Sequence, residues 1–100
     1  MQMAQPEHHV MVEQQLFDVH AHLNVKRAEL ELVVAQLATA RHSVEETGSR
    51  VALAETPLAQ REHSVARRRM HELEKRHQET AQELDHLLST QDALLAKLVG

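Results

Sequence analysis

The chain has 100 residues, no cysteine and a formal net charge of −4 at pH 7, so disulfide bonds are excluded and a strongly basic surface is not expected. Phe17 is the only aromatic residue, which removes the side chains that usually anchor globular cores, ligand pockets and base-stacking surfaces. With two glycines and two prolines the chain has few places to turn, whereas a small β-protein turns about every ten residues. Composition therefore favours an all-α fold.

An apolar heptad repeat predicts the first of two helices. From Val12 onward, positions spaced alternately by four and three residues are almost all Val, Leu or Ala, with Lys26 and Thr47 as exceptions. A 3.5-residue period held over about five heptads is typical of a helix that presents one face to a coiled-coil partner. The first half of the chain is therefore predicted to be one long amphipathic helix.

Proline, glycine and capping residues predict where the helices begin and end. Pro6 suits a first helical turn, and Gly48 suits the left-handed conformation that often ends a helix. Thr56 followed by Pro57 has the chemistry of an N-cap and a first helical residue. We therefore predict a single domain, with a disordered start at 1–5, a first helix at 6–47, a turn at 48–56 and a second helix at 57–98.

The second half of the chain keeps the same spacing with a weaker apolar character. Its repeat includes several polar residues, while Leu88 and Leu95 widen the apolar strip near the carboxyl end. A linker of fewer than about ten residues favours antiparallel neighbours, so the predicted fold is all-α, an antiparallel two-helix coiled-coil hairpin. We name the facing positions the hairpin seam: Val12, Leu16, Val19, Leu23, Lys26, Leu30, Val33, Leu37, Val44, Met70, Leu73, His77, Leu84, Leu87, Leu94 and Leu98.

The position of the turn sets the predicted register of the hairpin. Folding about residue 52 places Lys26 near His77 and Arg27 near Glu74. A polar residue such as Lys26 in a seam can fix the register, although its aliphatic stem can equally pack while its ammonium group reaches water. The alternative architecture is one continuous helix, kinked at Pro57 and paired with other chains.

A second apolar stripe runs along the side of the first helix that the hairpin seam does not use. Charged residues normally cover such a solvated face, so this stripe predicts a surface that binds another helix. The simplest partner is a second copy, giving a homodimer with a four-helix bundle, and another helical protein is the alternative. The alanines could equally be good helix formers on an ordinary exposed surface. We name these positions the outer stripe: Phe17, Ala21, Val25, Ala28, Leu32 and Ala35.

Nine histidines in 100 residues raise an alternative function, a sensor of pH or metal. A helical metal site needs ligands three or four residues apart, and no two of these histidines have that spacing. A response to pH is the better use of them, because His63 and His77 fall on the facing side of the second helix. Ordinary, half-exposed histidines remain the simpler interpretation, so no metal and no cofactor is predicted.

The remaining functional classes receive little support from the sequence. Arg67, Arg68 and Arg69 form a basic cluster that could contact nucleic acid, but acidic residues are interleaved with it and no aromatic residue lies near. A salt-bridged helix surface is the better interpretation of this cluster. No catalytic constellation is visible, so no enzyme activity is expected. With no signal peptide or membrane span in the sequence, a cytoplasmic location is the default expectation.

Overall fold

The computed structural model describes residues 6–99, and it describes side chains from His8 to Val99. Helix α1 spans Pro6–Leu53 and helix α2 spans Pro57–Val99, and the two pack against each other in opposite directions. The prediction of an all-α helical hairpin is confirmed. The predicted disordered start at 1–5 lies outside the described residues. Neither helix, within the described residues, has an apolar segment long enough to cross a bilayer.

The predicted end of the first helix is wrong, because α1 continues through Gly48 to Leu53. Gly48 keeps a helical backbone, and no glycine in the described part of the chain has a positive φ. Glycine inside a helix costs about 1 kcal/mol relative to alanine, which the packing on either side of this position can offset. Thr47 is buried and Val51 is half-buried, so the extra helical turn continues the packed face. Only residues 54–56 lie between the helices, rather than 48–56.

Hydrogen bonds of the short connection define how α2 starts. The Ala54 N–H donates to the Arg50 carbonyl at 2.9 Å, and the Thr56 N–H donates to the Ala54 carbonyl at 2.8 Å. The Thr56 Oγ1 atom accepts a hydrogen bond from the Ala59 N–H at 3.1 Å, and this makes Thr56 the N-cap of α2. Capping satisfies one of the backbone N–H groups that the first helical turn leaves without a partner.

The register of the hairpin differs from the predicted one because the turn lies further along the chain. Glu74, predicted near Arg27, lies instead beside Arg41, with 4.0 Å between the Arg41 Nη2 and Glu74 Oε2 atoms. Lys26, predicted near His77, forms an ion pair with Glu83. A turn displaced toward the carboxyl end moves every partner on α2 in the same direction, which explains both corrections.

The described residues divide into two compact units, where the sequence predicted a single domain. The first unit combines the part of α1 up to Ala28 with the part of α2 from Ala81 onward, and the second unit is Glu29–Thr80. In the first unit Leu23 is fully buried, within a cluster that includes Val19 and Leu94. The second unit has its own aliphatic cluster, which consists of Leu37, Ala40 and Leu73 with Met70 packed against it.

The hairpin seam lies inside these two units. All of its residues are buried or half-buried, including the polar members Lys26 and His77. Thr80, which continues the repeat on α2, is also buried. The aliphatic side chains thus supply the cores without help from an aromatic ring.

Candidate protein-interaction surface

The outer stripe lies on the exposed side of α1. Phe17 is 74% exposed, Val25 is 55% exposed and Leu32 is 59% exposed, and the three alanines of the stripe are also exposed. The positions from Phe17 to Ala28 belong to the first unit, and Leu32 and Ala35 belong to the second. The helix thus presents large apolar side chains to water on the side away from its packed face.

In the first unit, part of the outer stripe borders a shallow groove of about 410 Å³. Phe17 and Leu16 line it from α1, and Leu95 lines it from α2. Leu95 is 45% exposed, so its apolar surface is available beside that of Phe17. Polar side chains complete the lining of the groove: Glu13, His20 and Gln91.

Leu95 lines this groove, but it is not among the residues that the sequence predicted for the interaction surface. In the sequence Leu95 is recognisable only as a residue that widens the apolar strip of α2 near the carboxyl end. Whether Leu95 borders Phe17 depends on the register between the helices, which the apolar repeat alone does not determine. The spacing of seven residues between Leu88 and Leu95, which places both on one side of α2, is the sequence feature that could have pointed to Leu95.

In the second unit, a larger groove of about 630 Å³ has a mixed lining. Val65 and Ala40 contribute apolar surface, while Arg61 and Arg69 contribute positive charge. The Gln36 Oε1 atom, also in this lining, is buried without a hydrogen-bond partner. An unsatisfied buried acceptor costs roughly 1–3 kcal/mol, so this oxygen would favour a group that donates a hydrogen bond to it.

A polar cluster joins the helices of the second unit near the turn. The Thr47 Oγ1 atom lies 2.8 Å from the Ser43 carbonyl and 2.9 Å from the His63 Nδ1 atom. The hydroxyl has one hydrogen: with His63 protonated on Nδ1 the ring donates to the hydroxyl oxygen and the hydroxyl donates to the carbonyl, and in the other tautomer the hydroxyl donates to Nδ1. A Cβ atom at Gly48 would lie 3.3 Å from the His63 Cε1 atom. Gly48 therefore provides the space in which the His63 ring packs.

Two of the other histidines pair with a glutamate of the same helix. The His42 Nε2 atom lies 2.8 Å from the Glu46 Oε1 atom, and the His71 Nδ1 atom lies 3.0 Å from the Glu74 Oε1 atom. Each pair joins neighbouring turns of its own helix, and both histidines are exposed. Among the residues that the structure describes, no three His, Asp or Glu side chains are grouped closely enough to hold a metal ion.

The arginine cluster is a feature of the exposed surface of α2. Arg67, Arg68 and Arg69 are all exposed, and Arg69 also borders the groove of the second unit. Elsewhere on this surface Arg50 approaches Glu62, with 3.5 Å between the Arg50 Nη1 and Glu62 Oε2 atoms. Acidic and basic side chains are thus interspersed around the cluster.

Comparisons with known proteins find no relative of this chain. No protein-family model matches it. Neither a curated protein nor a solved structure is significantly similar to it. The geometry and chemistry of its own surfaces therefore carry the argument for its function.

Proposed function

We propose that this chain is a non-enzymatic interaction module that binds partner helices through the outer stripe of α1. The observation that carries this proposal is the exposure of Phe17, Val25 and Leu32, at 74%, 55% and 59%, on one side of a helix whose opposite side is packed. Burying a large apolar side chain gains roughly 1.5–3 kcal/mol. Three such side chains at helical spacing give a partner a substantial apolar contact.

The shape of the outer stripe favours a helix as the partner. Its members follow one another by three or four residues, the spacing with which one helix meets another. Alanine at positions 21, 28 and 35 allows a second backbone to approach closely between the larger side chains. A helix laid along α1 would therefore contact both the small and the large members of the stripe.

The groove of the first unit extends this surface beyond a single helix. Phe17, Leu16 and Leu95 form its apolar part, and Glu13 and Gln91 stand among its polar lining. An apolar centre with polar residues around it is the usual composition of a protein interface. A small scaffold, assembly or chaperone-like protein would use such a surface to hold a helix of its partner.

Selection of helical peptides provides the test. Wild type, Leu32→Glu and Leu58→Glu would be immobilised and exposed to one displayed library of amphipathic helical peptides. Leu58 is the matched control, because it is 61% exposed against 59% for Leu32 and lies outside the outer stripe. Circular dichroism would first establish that all three proteins keep their helical content.

We expect one set of peptides to be enriched on wild type and on Leu58→Glu, and to bind Leu32→Glu about tenfold more weakly. A tenfold loss corresponds to about 1.4 kcal/mol, within the range for burying one large apolar side chain. Equal enrichment on all three proteins would contradict the proposal, and so would enrichment on none of them when they are immobilised as single chains.

A further inference from the structure

We infer that the helix bound on the outer stripe is α1 of a second copy of this chain, running antiparallel to the first. This inference rests on the proposed function and names its partner. Two features of α1 carry it: the order of large and small side chains along the stripe, and the charges on either side of it.

Side-chain size makes the outer stripe complementary to itself when two copies run in opposite directions. If Val25 faces Ala28 of the second copy, helical spacing brings Ala21 opposite Leu32 and places Phe17 within one residue, about 1.5 Å along the axis, of the position opposite Ala35. Every large side chain then meets an alanine. A two-fold axis repeats each contact, so both copies bury the same set of residues.

A parallel arrangement of the same two helices lacks this fit. It would place Phe17 against Phe17 and Leu32 against Leu32, with Ala21 against Ala21 between them. Helices in contact keep an interaxial distance of about 8–10 Å that depends on the side chains between them, so alternating wide and narrow layers leave gaps. Size complementarity therefore favours the antiparallel pair.

Charged residues beside the outer stripe agree with the same arrangement. In this register His22 approaches Glu29 of the second copy on one side of the stripe. On the other side Glu13 approaches His42, and Asn24 approaches Glu31. Each of these carboxylates meets a histidine or an asparagine and none meets another carboxylate, so the flanking groups do not oppose this orientation.

The first experiment measures solution mass by light scattering at several protein concentrations. Wild type and Leu58→Glu are expected to have twice the mass of the chain, and Leu32→Glu is expected to have the mass of one chain while it stays helical. A monomeric wild type would overturn the inference. If the peptide selection had succeeded with that monomer, the proposed function would stand with a different protein as partner.

The second experiment tests orientation by disulfide cross-linking, for which the absence of native cysteine is an advantage. Ala21→Cys and Leu32→Cys would be oxidised separately and as a mixture. In the antiparallel pair, two copies of residue 21 lie about 16 Å apart along the helix axis, since they are separated by eleven residues. A disulfide requires Cα atoms within about 7 Å, so only the mixture should form a dimer of one variant with the other.

A parallel pair would give the reverse pattern, with rapid cross-linking of each variant alone, and would overturn the antiparallel arrangement. Leu58→Cys mixed with Ala21→Cys serves as the control for random collision, because Leu58 is as exposed as Leu32 but lies on α2. The inference would also be contradicted if the control mixture cross-linked as fast as the mixture of Ala21→Cys and Leu32→Cys.

Discussion

A glycine in a helical protein can either end a helix or leave space for a side chain of a neighbouring helix, and Gly48 does the second. A glycine after a long apolar repeat suits a helix end, yet this one lies within α1 and faces the ring of His63. The His63 side chain is in turn held by its hydrogen bond with Thr47, at 2.9 Å. The absence of a side chain at position 48 therefore serves contact between helices rather than termination of one.

This contact predicts that the effect of Gly48→Ala depends on His63. Alanine gains about 1 kcal/mol of helix propensity, but its methyl group would push the ring away by a few tenths of an ångström. We expect Gly48→Ala to raise the free energy of unfolding by about 1 kcal/mol in a His63→Ala background and by clearly less in wild type. Urea denaturation of the four proteins of this cycle would measure the coupling, expected to be about 0.5 kcal/mol. The same gain in both backgrounds would show that the ring does not restrict position 48.

At the level of the helices, the apolar repeat predicted which residues are buried better than where each helix ends. The 3.5-residue spacing follows from helix geometry, so the hairpin seam could be read from the sequence, including its polar members. The end of α1 and the register depend on how far the chain continues before it turns, which Gly48 leaves open. Leu95 was missed for the same reason, because its place beside the groove of Phe17 depends on that register.

Lys26 provides a prediction about the cost of a polar residue in the hairpin seam. Its side chain is 28% exposed and pairs with Glu83, which is 53% exposed. An ion pair between a half-buried lysine and an exposed glutamate contributes about 1 kcal/mol, less than the roughly 1.5–3 kcal/mol gained by burying a leucine side chain. Lys26→Leu is therefore expected to raise the free energy of unfolding by about 1 kcal/mol.

Thermal and urea unfolding of wild type and Lys26→Leu would measure this change. Glu83→Gln should cost less than about 1 kcal/mol in wild type and have no effect in the Lys26→Leu background, because the lysine it pairs with is gone. A Lys26→Leu protein that is less stable than wild type would mean that the ion pair contributes more than the apolar contact that replaces it.

At the level of the whole molecule, the hairpin buries limited apolar surface, so association that buries more of it would raise the stability of the fold. The buried core side chains are aliphatic, while the only aromatic residue, Phe17, is 74% exposed. Small folds with little burial are usually stabilised by disulfides, metals or association, and the chain contains no cysteine. Association through the outer stripe would bury the aromatic side chain that the hairpin leaves in water.

The inferred dimer therefore predicts that thermal stability depends on protein concentration. When a folded dimer unfolds to two chains, a tenfold increase in concentration adds about 1.4 kcal/mol per dimer, or about 0.7 kcal/mol per chain, to the stability of the folded state. For a chain of this size that is a rise of roughly 3 to 5 °C in Tm. Calorimetry at several concentrations should show this rise for wild type and for Leu58→Glu, and a constant, lower Tm for Leu32→Glu. A wild-type Tm that does not change with concentration would mean that the hairpin folds alone, and that the outer stripe contributes nothing to its stability by self-association.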